Sequence, residues 1–154
     1  RGVLLSLGPT SEKFSFSDEA FVIRDDLNLP IFATAGTADA LLDLGIESNR
    51  VGKSPDAHDS AANLIAAGEV DLVINIPRQY DRQGRPDGYW IRRAAIDQGV
   101  PLVTDLNLAK AIVESLRRTR GTCHEPRGMD EYVKPVQRNP ERPSAGVSDR
   151  TQDT

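Results

Sequence analysis

Apolar residues in this chain come in short unbroken runs, and each run is followed by a stretch where they recur every three or four positions. Val3-Leu4-Leu5-Ser6-Leu7, closed by Gly8-Pro9, is the first run. Ile31-Phe32-Ala33 follows Pro30, and Val51 centres a weaker run over 48–52. Asp71-Leu72-Val73-Ile74-Asn75 is the clearest, and Pro101-Leu102-Val103-Thr104 the last. Aliphatic runs bounded by turn residues fit strands buried on both faces, as in a parallel sheet. Between them, helical spacing predicts helices from about Ser17 to Leu27, from Thr37 to Leu44 and from Ser54 to Ala67. Two more run from Tyr89 to Gln98 and from Asp105 or Asn107 to about Arg118. Ser54-Pro55-Asp56 reads as an N-cap with proline at the first helical position, and Gly45, Gly68 and Gly99 read as stops. Leu108, Ala111, Ile112, Ser115 and Leu116 form the expected buried stripe of the last helix. Strand–helix alternation of this kind predicts right-handed βαβ crossovers. The fold expected is α/β: a parallel sheet with helices on both faces, in three layers.

After Thr119 the periodicity stops, and Pro126, Pro135, Pro140 and Pro143 break any long element. The expected division is a folded domain at 1–118 and a polar tail at 119–154 with little structure of its own. The 154 residues suffice for one domain with a real core. A net charge of −4 gives no basic face for nucleic acid. No apolar run approaches a membrane span, and the single cysteine, Cys123, fits a reducing, cytoplasmic setting. The chain opens on Arg1, and Val3 already reads as strand, which points to a fragment of a longer polypeptide or a processed product.

Ligands of open parallel sheets bind beyond the carboxyl ends of the strands. There the sequence places Ser6 and a loop to Lys13, then Thr34, Gly36 and Thr37 where the second strand turns into its helix. Lys53, Asn75 and Thr104 end the third, fourth and fifth strands. Two ammonium groups, hydroxyls, an amide and a helix N-terminus suit an anion. Each residue also has a plainer role: Thr37 as a helix cap, Gly36 as a turn residue, Asn75 as a tie between loop and sheet, the lysines as solvated charges. Their joint placement favours a binding site for a small negatively charged metabolite. The polar loop over 76–86 is the expected mobile or functional segment beside it. Catalysis has less support. His58 and His124 have no marked partner, and Asp56, Asp59 and Asp87 read as cap or turn residues. The sequence shows no metal-ligand spacing, Walker loop or dinucleotide fingerprint.

The motifs Leu4-Leu5-Ser6, Ala33-Thr34-Ala35-Gly36-Thr37-Ala38, Val51-Gly52-Lys53, Gly68-Glu69-Val70-Asp71-Leu72-Val73-Ile74-Asn75 and Ile91-Arg92-Arg93-Ala94-Ala95 occur in this order. As a set they resemble the methylglyoxal-synthase-like domain that ends the large subunit of carbamoyl phosphate synthetase, over roughly Gly2 to Leu116. The resemblance implies a five-stranded sheet in the order 3-2-1-4-5. It implies a non-catalytic regulatory domain whose effector alters carbamoyl phosphate synthesis for pyrimidines and arginine. The synthetase domains of the parent ligase, which would use ATP with Mg or Mn, and its glutaminase subunit would be the partners. No cofactor is expected in this domain itself. In bacterial members UMP or IMP contacts the positions matching Ser6, Lys13, Thr34, Thr37, Lys53 and Asn75. Pro77 departs from the bacterial pattern. Asn75-Ile76-Pro77 resembles instead the mitochondrial branch activated by N-acetylglutamate, which has tryptophan where this chain has Lys53. A lysine suits a phosphate, so a nucleotide or phosphosugar is the expected effector. The chain is also similar to methylglyoxal synthase, a lyase acting on dihydroxyacetone phosphate. His58 stands where that family has its catalytic aspartate, with Asp56 and Asp59 as near substitutes, and Gly84 stands where it has its late histidine. The cyclohydrolase domain of purine synthesis shares the fold but matches these motifs less well.

Overall fold

The aliphatic run around Val73 forms a strand from Val70 to Ile76, and the rest of the sheet is built outward from it and from its neighbour at Gly2–Leu7. The computed structural model describes residues 1–54, 58–77, 88–119 and 128. A compact unit spans Arg1–Cys123; the second unit, His124–Thr154, lies almost wholly outside the described residues. The strands are β1 (Gly2–Leu7), β2 (Ile31–Thr34), β3 (Asn49–Val51), β4 (Val70–Ile76) and β5 (Leu102–Val103), all parallel, in the order β3-β2-β1-β4-β5. The expected sheet order is therefore the observed one. Helices are α1 (Thr10–Ser15), α2 (Ser17–Phe21), α3 (Ala35–Asp43), α4 (Ala61–Ala66), α5 (Tyr89–Asp97) and α6 (Leu106–Thr119).

Period-two alternation in β1 sorts its side chains onto two cores. Val3, Leu5 and Leu7 pack with Phe16, Ala20, Ile23, Leu41, Ala109 and Val113. Leu4 faces the other way, among Val51, Ile65, Val73, Ile91 and Ala95. One face is thus covered by α1, α2, α3 and α6, the other by α4 and α5, which gives three layers.

Several boundaries differ from expectation. The segment expected as a loop to Lys13 is helical: α1 starts at Thr10, and the amides of Glu12 and Lys13 donate to Pro9 O at 3.2 Å. The helix expected at Ser17 runs through α2 into a π-helical turn, Val22–Asp26, where Leu27 N donates to Val22 O at 3.0 Å. The turn expected over Thr34–Thr37 is absent, because α3 begins at Ala35 directly after the strand. The N-cap of α4 is Ser60, whose hydroxyl accepts from Asn63 N at 3.1 Å, rather than Ser54. Ser60 also forms a parallel bridge with Gly52 beside β3, immediately before the helix begins. Asp105 is the cap of α6, its carboxylate accepting from Leu108 N at 2.8 Å. That places Leu108 in the first turn, 52% exposed, so the buried residues are Ala109 and Val113 and the expected stripe is displaced by about one position. Tyr89 and Trp90, at the start of α5, are partly exposed and pack edge-on against each other, centroids 5.1 Å apart. The expected loop at 76–86 and the tail, with Cys123 and His124, fall largely or wholly outside the described residues.

Candidate functional site

A cavity of about 440 Å³ opens at the carboxyl ends of β1, β2 and β3, lined by Lys13, Thr34, Gly36, Thr37 and Lys53 together with Leu7 and Gly8. Its floor is the first turn of α3. The first amides of any helix lack carbonyl partners and carry the positive end of its dipole. Thr34 holds the N-cap position with extended backbone, yet its side chain makes no cap hydrogen bond. The Thr34 hydroxyl turns instead toward Ser6 Oγ and Thr37 Oγ1, each 3.4 Å away. Lys13, only 9% exposed, reaches this turn from α1. A Cβ on Gly36 would stand 3.1 Å from Lys13 Nζ, so glycine leaves the room that the ammonium group uses. Lys53 is exposed on the opposite rim, after β3.

Thr37 does not offer its hydroxyl to the cavity. It accepts from Leu7 N at 2.9 Å and donates to Leu7 O at 3.3 Å, and so ties α3 to the end of β1. What it could offer an anion is its backbone N–H, in the first turn of α3. Removing the hydroxyl strands a buried amide. Thr37→Val is expected to lower unfolding free energy by about 1–3 kcal/mol, measured by urea denaturation.

Ser6 and Asn75 form a sealed layer behind the cavity rather than its lining. They are register partners on β1 and β4, exposed by 3% and 1%. Asn75 Nδ2 donates to Ser6 O at 3.3 Å, and Asn75 Oδ1 accepts from Arg92 on α5 at 2.5 Å. Both ends of the amide are thus engaged within the protein. Gly88, at φ +76°, lies so close that a Cβ there would come within 2.6 Å of Asn75 Nδ2. Arg92 and Gly88 are functional candidates that residue spacing did not single out, since neither lies at the end of a strand. Thr104 is not brought to the site: it is exposed beyond β5, with β4 and β1 between it and β2.

Among the described residues the acid–base candidates do not converge on the cavity. His58 and Asp59 form an exposed pair, Nδ1 to Oδ1 3.0 Å, on the turn before α4, and neither lines the cavity. The hydrogen bond that the His58 ring donates to the Asp59 carboxylate raises the His58 pKa above its ordinary value. Asp56, Asp87 and Gly84 lie outside the described residues. Among the described residues no three His, Cys, Asp or Glu side chains gather as a metal site, and no helix is long and apolar enough to cross a membrane.

A second cavity, about 520 Å³, opens at the amino ends of β2 and β3, lined by Arg24, Asp39, Glu47 and Arg50 among others. Its cations are already matched. Arg24 binds Asp25 at 2.6 Å and Gly45 O at 2.9 Å, and Arg50 binds Asp39 at 2.9 Å. It holds none of the candidate site residues and lies at the wrong end of a parallel sheet for a ligand.

Comparison with known proteins places this geometry among relatives. The family of the MGS-like domain matches residues 24–104. The chain is 38% identical to the carbamoyl phosphate synthase large chain of Methanosphaerula palustris over 73% of its own length and 10% of that protein's. It is 42% identical to the C-terminal section of the large chain of Methanopyrus kandleri over 58% of its own length and 16% of that section. The chain therefore spans about a tenth of the full-length relatives it matches. Among solved structures, methylglyoxal synthase from Elizabethkingia anophelis superposes with a TM-score of 0.52 at 20% identity, covering 73% of this chain and 77% of that one. At that identity the likeness concerns the fold alone.

Proposed function

The chain belongs to the MGS-like domain family, and from that premise we propose that it is an effector-binding regulatory domain of a carbamoyl phosphate synthetase. In this reading a phosphorylated metabolite, such as a UMP- or IMP-like nucleotide or a phosphosugar, binds in the Lys13–Lys53 cavity. Its occupancy then alters carbamoyl phosphate synthesis, for pyrimidines or arginine, in the synthetase domains of the parent. The observation that carries the reading is the first turn of α3, which has no side-chain cap and stands beside the largely buried ammonium group of Lys13. Amides aimed outward and a desolvated cation are worth more to a phosphate than to water. The cavity size suits a nucleotide monophosphate or a smaller ligand. The domain would influence its neighbours only through a difference in effector affinity between two states of the parent, typically about 1–3 kcal/mol.

The test is a thermal titration of the chain with UMP, IMP, phosphoribosyl pyrophosphate and N-acetylglutamate. A ligand at one hundred times its Kd should add about 2.7 kcal/mol to stability. A shift with a phosphorylated ligand and none with N-acetylglutamate is the expected result. A shift with N-acetylglutamate alone would reverse the effector class. Release of methylglyoxal from dihydroxyacetone phosphate would replace regulation with a lyase.

A further inference from the structure

A line of buried polar groups crosses the sheet behind the cavity and ends on a residue that does not line it. Arg92 donates to Asn75 Oδ1 at 2.5 Å; Asn75 Nδ2 donates to Ser6 O at 3.3 Å. Thr34 Oγ1 lies 3.4 Å from both Ser6 Oγ and Thr37 Oγ1, and Thr37 closes the line on the amide and carbonyl of Leu7. The line joins α5, β4, β1, β2 and α3. A guanidinium can only donate, so Arg92 obliges Asn75 to present its oxygen to α5 and its nitrogen to Ser6. The Ser6 carbonyl, which can only accept, favours the same orientation weakly at 3.3 Å, and the short charge-assisted contact from Arg92 is the stronger of the two. A flipped amide would set its oxygen against the Ser6 carbonyl, acceptor facing acceptor. The backbone supports the same arrangement, since Arg92 N donates to Gly88 O at 3.1 Å and Gly88 leaves no side chain between α5 and Asn75.

We infer that Arg92 is a positioning residue for the cavity: by fixing the Asn75 amide it holds the end of β1, and through Thr34 and Thr37 the first turn of α3, in the arrangement that receives an anion. The inference rests on the anion-site reading for its effect on binding, but not for its effect on the hydrogen-bonded line. Asn75, being sealed, acts without touching the ligand, and Arg92 acts through Asn75.

The experiment uses the full chain with Arg92→Leu, Arg92→Lys, Asn75→Ala and the double variant Arg92→Leu/Asn75→Ala. Two quantities are followed: affinity for UMP and IMP by calorimetry, and hydrogen exchange of the Leu7 amide in the unliganded protein. Losing a charge-assisted hydrogen bond predicts about tenfold weaker binding and about tenfold faster Leu7 exchange in Arg92→Leu. Arg92→Lys, which retains a donor, should recover most of both. In the Asn75→Ala background, Arg92→Leu should add nothing further. Wild-type affinity and wild-type Leu7 exchange in Arg92→Leu would overturn the inference, as would an equal loss with and without Asn75. If the wild-type chain binds neither nucleotide while Leu7 exchange still rises, the positioning role stands and the anion-site reading falls. If Arg92→Leu does not fold, Arg92→Lys and the Asn75→Ala background carry the comparison.

Discussion

Phe16→Ala is expected to remove about 3–5 kcal/mol of stability, a large share of the roughly 5–15 kcal/mol that holds a domain of this size folded. Phe16 is fully buried and joins α1 to α2: its amide donates to Glu12 O at 3.1 Å, and its carbonyl accepts from Ala20 N at 3.0 Å. The ring packs among Leu5, Ile23, Ala109 and Val113, so truncation leaves a cavity where three helices meet the sheet. The expected fall in melting temperature is roughly 10–20 °C. Phe16→Leu, which refills most of the space, should cost only about 1–1.5 kcal/mol. The ring also seats α1, and α1 carries Lys13. On its other side α1 is tied to α6, where Lys110 Nζ donates to the Ser15 carbonyl and, at 3.0 Å, to the Ser15 hydroxyl. A mobile α1 would present its ammonium group less well. Effector affinity measured well below the melting temperature should therefore fall more in Phe16→Ala than in Phe16→Leu. Equal affinity in the two would show that α1 needs no seat in the core to place Lys13.

How far the sequence led depends on whether a feature is local. The run from Leu72 to Ile74 needs burial on both faces wherever it sits, and the regular return of such runs is enough for a parallel sheet. The short helix α1 was missed because Thr10–Ser15 has no apolar periodicity: Phe14 is 47% exposed and its only buried side chain is Lys13. The start of α4 was misplaced because Ser54-Pro55-Asp56 and Ser60 are both sound caps. Pairing of Gly52 with Ser60, a tertiary fact, decides between them. The phase of α6 failed for a similar reason. Leu108 with Ala111 and Ala109 with Val113 are both helical stripes, and the Asp105 cap selects the second. At the site, residue types were legible and their directions were not. By type and position Thr37 and Asn75 suit either a ligand or a local tie. Their side chains face Leu7, Ser6 and Arg92, partners up to 69 positions away in the chain. The two lysines and the α3 N-terminus do line one cavity, because a strand leading straight into a helix leaves its first amides at the strand's carboxyl end whatever lies nearby.

Lys13→Met is expected to weaken a phosphate-bearing nucleotide by roughly 10–150-fold, the equivalent of one hydrogen bond to a charged group at about 1.5–3 kcal/mol. Lys53→Met should cost less than about fivefold. The two cations line the same cavity but differ in solvation: Lys13 is 9% exposed and Lys53 is an exposed rim residue. An exposed ion pair contributes about 0.2–1 kcal/mol, because water competes for both partners and salt screens the rest. Ionic strength separates the two. With a screening length near 10 Å at 0.1 M, raising salt should erase most of the Lys53 contribution and leave most of that of Lys13. Methionine keeps the length and apolar stem of the lysine, so melting temperatures close to wild type are expected for both variants and serve as the check on folding. The measurement is calorimetric affinity for UMP and IMP in low and high salt. A larger loss from Lys53 than from Lys13 would move the ligand out to the β3 rim and leave the first turn of α3 without a role in binding. Equal, strongly salt-dependent losses would mean that the anion is held by the field of the two charges together, with no desolvated contact at Lys13.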